Sequence, residues 1–179
     1  MTADGIGLGD SAPAFELPDV TGGTQEIGEP GDERATVVYW TCNHCPYALA
    51  WHERLIDAAR EYSDRGVRFL AINSNDADRY PQDGPEAMRA RVEQEGGWPH
   101  PYLFDESQQV GRAFGAQTTP DAFVFDADLK LRYRGAPDAD YEDPGQNAVW
   151  LREAVDAVLD GREPEQAETT PVGCTIKWK

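Results

Sequence analysis

The sequence is short of cysteine, of lysine and of long apolar runs, and each shortage narrows what the chain can be. Three cysteines in 179 residues are too few for a disulfide-stapled scaffold, so the fold must rest on an apolar core, and a 40% hydrophobic content suffices for one. No stretch approaches the ~18 apolar residues of a membrane-spanning helix, so no membrane partner is expected. Lysine occurs only at Lys130, Lys177 and Lys179, and the 16 bases face 33 acids for a net charge of −17. A surface that acidic repels nucleic acid and anionic lipid, which need clustered Lys and Arg. Met1-Thr2-Ala3-Asp4-Gly5 carries neither a basic n-region nor an apolar h-region, so a signal peptide is not expected and the expected location is cytoplasmic. Acid-rich, lysine-poor composition along the whole chain also suits a protein working in concentrated salt, where self-repulsion is screened.

What is present is an alternation of strand and helix signals without internal repeats. The Gly- and Pro-rich start around Ala14-Phe15-Glu16-Leu17 reads as a small hairpin or irregular cap. Thr36-Val37-Val38-Tyr39-Trp40 is β-branched and aromatic, as a buried strand requires. Trp51, Leu55, Ala58 or Ala59, and Tyr62 follow at helical spacing, with Gly66 at the expected stop. Val67–Asn73 reads as a second strand, parallel to the first in a right-handed βαβ unit. After an Asn/Asp/Pro loop from Ser74 to Gly84, Pro85 opens a helix with Met88 and Val92 inward. Ser107–Phe114 suggests a further short helix, Asp121–Phe125 a strand, and Leu129, Leu131 and Tyr133 an alternating antiparallel strand. A last helix is expected near Asn147–Asp160. The order βαβ, helix, ββα is a thioredoxin arrangement: an α/β domain with a central mixed sheet of four or five strands flanked by helices. It carries an N-terminal extension, a core of about residues 10–161, and a C-terminal tail over 162–179.

Cys42-Asn43-His44-Cys45 stands where the first strand ends and the helix begins. The first helical turn offers free N–H groups and a partial positive charge, both of which favour a thiolate. The spacing brings the two sulfurs close enough to close a small disulfide ring. Cys42 is expected to be the exposed attacking thiol and Cys45 the buried resolving one, with His44 tuning the pair. A zinc site is the competing reading, but zinc takes four ligands, and only Cys174, His44, His52 and His100 remain to supply two more. No metal and no other cofactor is therefore expected. His52 and His100 read as ordinary surface or packing residues.

Four stretches together resemble one group: Gly9–Phe15, Asn43-His44-Cys45-Pro46-Tyr47, Thr118–Asp126 and Gly173–Trp178. The chain is similar in these to the peroxiredoxin-like redoxins of the alkyl hydroperoxide reductase/thiol-specific antioxidant group. The resemblance implies a cis-proline loop at Thr118-Thr119-Pro120 facing the cysteines, with Thr119 and Pro120 receiving substrate. Thiol-dependent peroxidase activity is the alternative it raises, and two departures weigh against it. The threonine such peroxidases carry three residues before the attacking cysteine is Tyr39 here, and their arginine near the third strand is replaced by Pro120. A copper chaperone would resemble CxxxC with a later histidine, and none follows His100. A non-catalytic binding module would require Cys42 to be unreactive. The expected activity is thiol–disulfide exchange with a protein or small-molecule disulfide. Cys174, in a tail whose Ile176 and Trp178 suggest docking, reads first as a docked, inert cysteine, with a relay of electrons to or from Cys42 as the alternative.

Overall fold

The computed structural model describes residues 5–179. Met1–Asp4, on which the expectation about a signal peptide partly rests, lie outside the described residues. The strands are β1 (Phe15–Pro18), β2 (Thr24–Ile27), β3 (Ala35–Trp40), β4 (Val67–Asn73), β5 (Tyr102–Phe104), β6 (Thr118–Thr119), β7 (Asp121–Asp126), β8 (Leu131–Gly135) and β9 (Cys174–Thr175). The helices are α1 (Pro46–Ser63), α2 (Pro85–Gln94), α3 (Gln109–Phe114) and α4 (Val149–Leu159), with short 3-10 turns at Pro81–Asp83 and Pro144–Gln146.

A five-stranded mixed sheet in the order β5-β4-β3-β7-β8 forms the centre. β3 pairs parallel with β4 and antiparallel with β7, so the first strand lies mid-sheet, with the C-terminal ends of β3 and β4 side by side. That placement explains why β3 is apolar without alternation: both of its faces are covered. Val37 and Tyr39 pack with Trp51, Leu55 and Tyr62 of α1 and with Leu151 and Val155 of α4. Val38 and Trp40 face the other way, onto Phe114 of α3, Phe123, Phe125, the β1–β2 hairpin and Ile176.

α1 is fastened at its middle. Arg54 reaches the fully buried Asp138 at 2.9 Å and also donates to the carbonyls of Asp140 and Tyr141. Asp138 further accepts from Trp51 Nε1 and from the Ala148 N–H at the start of α4. With its hydrogen-bonding capacity largely filled, this buried pair is tolerable, whereas removing one partner of such a pair costs about 3–5 kcal/mol. Asp138 therefore ties the helix that carries the cysteines to α4.

Three expected boundaries move. α4 starts at Val149 because Asn147 and Ala148 take left-handed backbone, with φ of 54° and 52°. β8 starts at Leu131 because Leu129 sits in the turn at φ 58°. α3 starts at Gln109, after Gln108 at φ 67°. β5 and the β6–β9 pair had no sequence signal of their own, being three and two residues long.

Candidate active site

Cys42 and Cys45 lie in the turn that follows β3, and Cys45 is the N-cap of α1 in extended conformation (φ −76°, ψ 125°). Pro46 occupies the first helical turn, where its missing N–H costs no hydrogen bond. The Thr119–Pro120 peptide is cis, as the resemblance implied, and it faces both sulfurs. Cys42 Sγ is 3.4 Å from the Thr119 hydroxyl, and Cys45 Sγ is 3.3 Å from the Thr119 carbonyl oxygen. Both thiols are free.

One expectation needs correction. Cys42 is not exposed: both Cys42 and Cys45 are only 1% accessible. The physical reason is a cover made by two parts of the chain. The turn at Pro81–Asp83 closes over the Cys42–Cys45 loop, with Asn43 Nδ2 donating to the Gln82 carbonyl and the Asn43 N–H donating to Asp83 Oδ1 at 2.7 Å. From the other side, β9 pairs antiparallel with β6, placing Cys174 opposite Thr119. The backbone of the loop expected to receive substrate is thus already paired with the chain's own tail.

Two influences compete over which of the two sulfurs ionises more readily. The Cys42–Cys45 hydrogen bond, with burial adding to it, raises Cys42, while the same bond brings Cys45 down to about 4. The Thr119 contacts point the other way. A carbonyl only accepts, so Cys45 is the donor there, whereas the Thr119 hydroxyl can donate to a Cys42 thiolate.

His44 stacks on Tyr80 and brings Nδ1 to 2.5 Å from Asp83 Oδ2, an approach that is short but poorly directed for a hydrogen bond. Asp83 is fully buried and was not singled out by sequence reasoning, which saw only a polar loop. Its carboxylate accepts from Asn73 and Asn75 as well as from Asn43, and its charge opposes ionisation of Cys42. Arg91 was also missed. It donates to the Cys42 carbonyl at 3.0 Å and to Asn43 Oδ1, which accepts from Tyr102 too. The nearest thing to a signal for Asp83 was the density of Asn and Asp between Ser74 and Gly84.

Cys42, His44 and Asp83 place a sulfur, a ring nitrogen and a carboxylate oxygen within 4.8 Å of one another. The donor types could meet a metal, but the Asp83 oxygens are already engaged by three N–H donors. His52 and His100 are both packing residues rather than surface ones: His52 pairs with Glu95 at 2.6 Å, and buried His100 meets the Tyr39 hydroxyl at 3.0 Å. Among the described residues no helix is long and apolar enough to cross a membrane.

Cys174 packs against the small cluster of Cys42, Cys45 and Ala48. Burial pushes its thiol up to about 11, with the contact to Cys45 adding to the shift.

A βαβ–ββα sheet with a cysteine pair at the start of its first long helix and a cis-proline opposite defines a thioredoxin fold. Comparison with known proteins narrows this. The chain belongs to the AhpC/TSA family, whose model matches residues 8–134. Among solved structures, an uncharacterized conserved protein from Geobacillus kaustophilus is 41% identical with a TM-score of 0.90, covering 97% of this chain and 93% of that one. A hypothetical protein from Sinorhizobium meliloti 1021 is 38% identical at TM-score 0.90, covering 98% and 97%. The thiol:disulfide interchange protein DsbE of Allochromatium vinosum is 28% identical over 147 residues, which span 79% of this chain and 70% of that protein.

Proposed function

We propose that the chain exchanges disulfides through Cys42 and Cys45, with Cys42 as nucleophile and Cys45 as resolving thiol. The observation that carries this reading is the geometry of the pair: two free thiols at the start of α1, packed in one buried cluster and each meeting Thr119. In the first step the Cys42 thiolate attacks one sulfur of a substrate disulfide, forming a mixed disulfide and expelling the other sulfur as thiolate. Cys45 then attacks Cys42 Sγ, closing the Cys42–Cys45 disulfide and releasing the second substrate thiolate. Three features support thiol–disulfide exchange over peroxide reduction. Tyr39 is buried in the core beneath the loop, Pro120 stands where a peroxide-polarising arginine would be, and the Thr119–Pro120 edge can pair with an extended segment. The substrate class is a protein or small-molecule disulfide, reached once β9 leaves the edge, and no cofactor is required.

The test compares insulin disulfide reduction with hydrogen peroxide consumption for the wild type and Cys45→Ser. The expected result is a stable mixed disulfide on Cys42 in Cys45→Ser and loss of insulin reduction by at least about a hundredfold. Rapid peroxide turnover that survives Cys45→Ser would overturn the proposal in favour of a thiol-dependent peroxidase.

A further inference from the structure

The tail strand does more than fill space over the cysteines. Gly173 crosses Thr119 so closely that a Cβ there would lie 2.3 Å from the Thr119 carbonyl oxygen. Beyond it, Ile176 is buried in the second core and its N–H donates to the Gln117 carbonyl. The Lys177 N–H donates to Asn75 Oδ1 at 2.8 Å, and the Lys177 carbonyl accepts from the Asp76 N–H and Gln108 Nε2. Arg112 lies over the Trp178 ring at 4.2 Å. These contacts hold Cys174 in strand pairing with Thr119, whose carbonyl Cys45 also meets. An extended segment on a strand edge, presenting a sulfur to a reactive cysteine pair, is the arrangement a disulfide-bearing substrate segment would adopt.

We propose that Cys174 is a third working thiol, held by β9 in the position of a substrate segment, and that it exchanges with the Cys42–Cys45 disulfide to give a Cys45–Cys174 disulfide. The proposal rests on the reading of Cys42 and Cys45 as the redox pair, which supplies the disulfide. In the step, the Cys174 sulfur forms a bond to Cys45 Sγ and the Cys42–Cys45 bond breaks. The bonding electron pair leaves on Cys42, which takes up the proton that Cys174 loses. No outside oxidant or reductant enters, since one disulfide replaces another. The product returns Cys42 to the thiol state and fastens β9 covalently across the pair.

Disulfide mapping tests this on the full chain. Wild type is oxidised with oxidised glutathione, free thiols are blocked with iodoacetamide, and tryptic peptides are analysed by mass spectrometry. The expected species link Cys45 to Cys174 and carry the blocking group on Cys42. In Cys42→Ser treated with diamide, both remaining thiols should disappear together into one intramolecular link. Cys174→Ser in that background should leave Cys45 without an internal partner. Cys45 and Cys174 failing to link in Cys42→Ser would overturn the proposal, as would linkage of Cys174 to Cys42 in the wild type. The two readings fail separately. Absence of the link in a protein that reduces insulin removes only this inference, while a link in a protein that reduces no disulfide removes the proposed function alone.

Discussion

At the residue scale, the site is governed by a buried acid that no local motif announces. Asp83 is buried away from solvent yet accepts three N–H hydrogen bonds, so dipoles from Asn43, Asn73 and Asn75 offset the loss of hydration of its carboxylate. That charge disfavours a second negative group beside it, and it pushes the Cys42 pKa up. Asp83→Asn removes the repulsion, so the thiolate becomes easier to form. The expected outcome is a midpoint of the Cys42 alkylation–pH profile lower by about one pH unit, measured as iodoacetamide rate against pH. The same change replaces one of the two acceptor oxygens by an NH2 donor, so either Asn75 or the pair Asn43 and Asn73 then faces a donor, and it should cost about 1–3 kcal/mol of stability in denaturant titration. An unchanged or raised midpoint would mean that Asp83 acts on the loop's shape and not on its charge.

At the scale of elements, α1 and β9 set the site between them. α1 could be read from its own residues, because Pro46, the spacing Trp51-Leu55-Tyr62 and the positive φ of Gly66 are local features that act within a few residues. β9 could not. It is two residues long, and its existence depends on an edge supplied by β6 far away in sequence. The apolar Ile176 and Trp178 did signal docking, but not where. Gly173 is where that docking can be tested, since any side chain there meets the Thr119 carbonyl. Gly173→Ala should lift β9 from β6 while leaving the central sheet intact. Alkylation of the Cys42–Cys45 pair should then speed up by roughly tenfold or more, as local opening becomes cheaper, with little change in the thermal midpoint. Equal alkylation rates in the two proteins would show that the turn at Pro81–Asp83, and not β9, limits access.

At the scale of the whole molecule, the −17 charge is the dominant feature that the fold does not consume. The ion pairs formed between surface groups, such as Arg89–Glu93 and Arg60–Asp57, engage few of the acids and contribute little each. Self-repulsion among the rest should therefore weaken the folded state in dilute buffer and be relieved as the Debye length shrinks. Raising KCl from about 0.1 M to about 2 M is expected to raise the thermal midpoint by roughly 3–8 °C, the equivalent of about 1–2 kcal/mol for a chain of this size. A midpoint independent of KCl would rule out adaptation to salt.

The sequence by itself determined the thioredoxin-fold framework and the placing of Cys42 and Cys45 at a helix start, while the proline loop opposite them was legible only through the family resemblance. The first two are written in short-range signals: apolar periodicity and a two-residue spacing. Only the tertiary structure decided that Cys42 is covered, that Asp83 charges its surroundings, and that Cys174 lies beside Cys45. Those outcomes depend on hydrogen bonds and strand pairing between segments distant along the chain. Such contacts are selected by packing of the whole core, and no local pattern of residues encodes their partners.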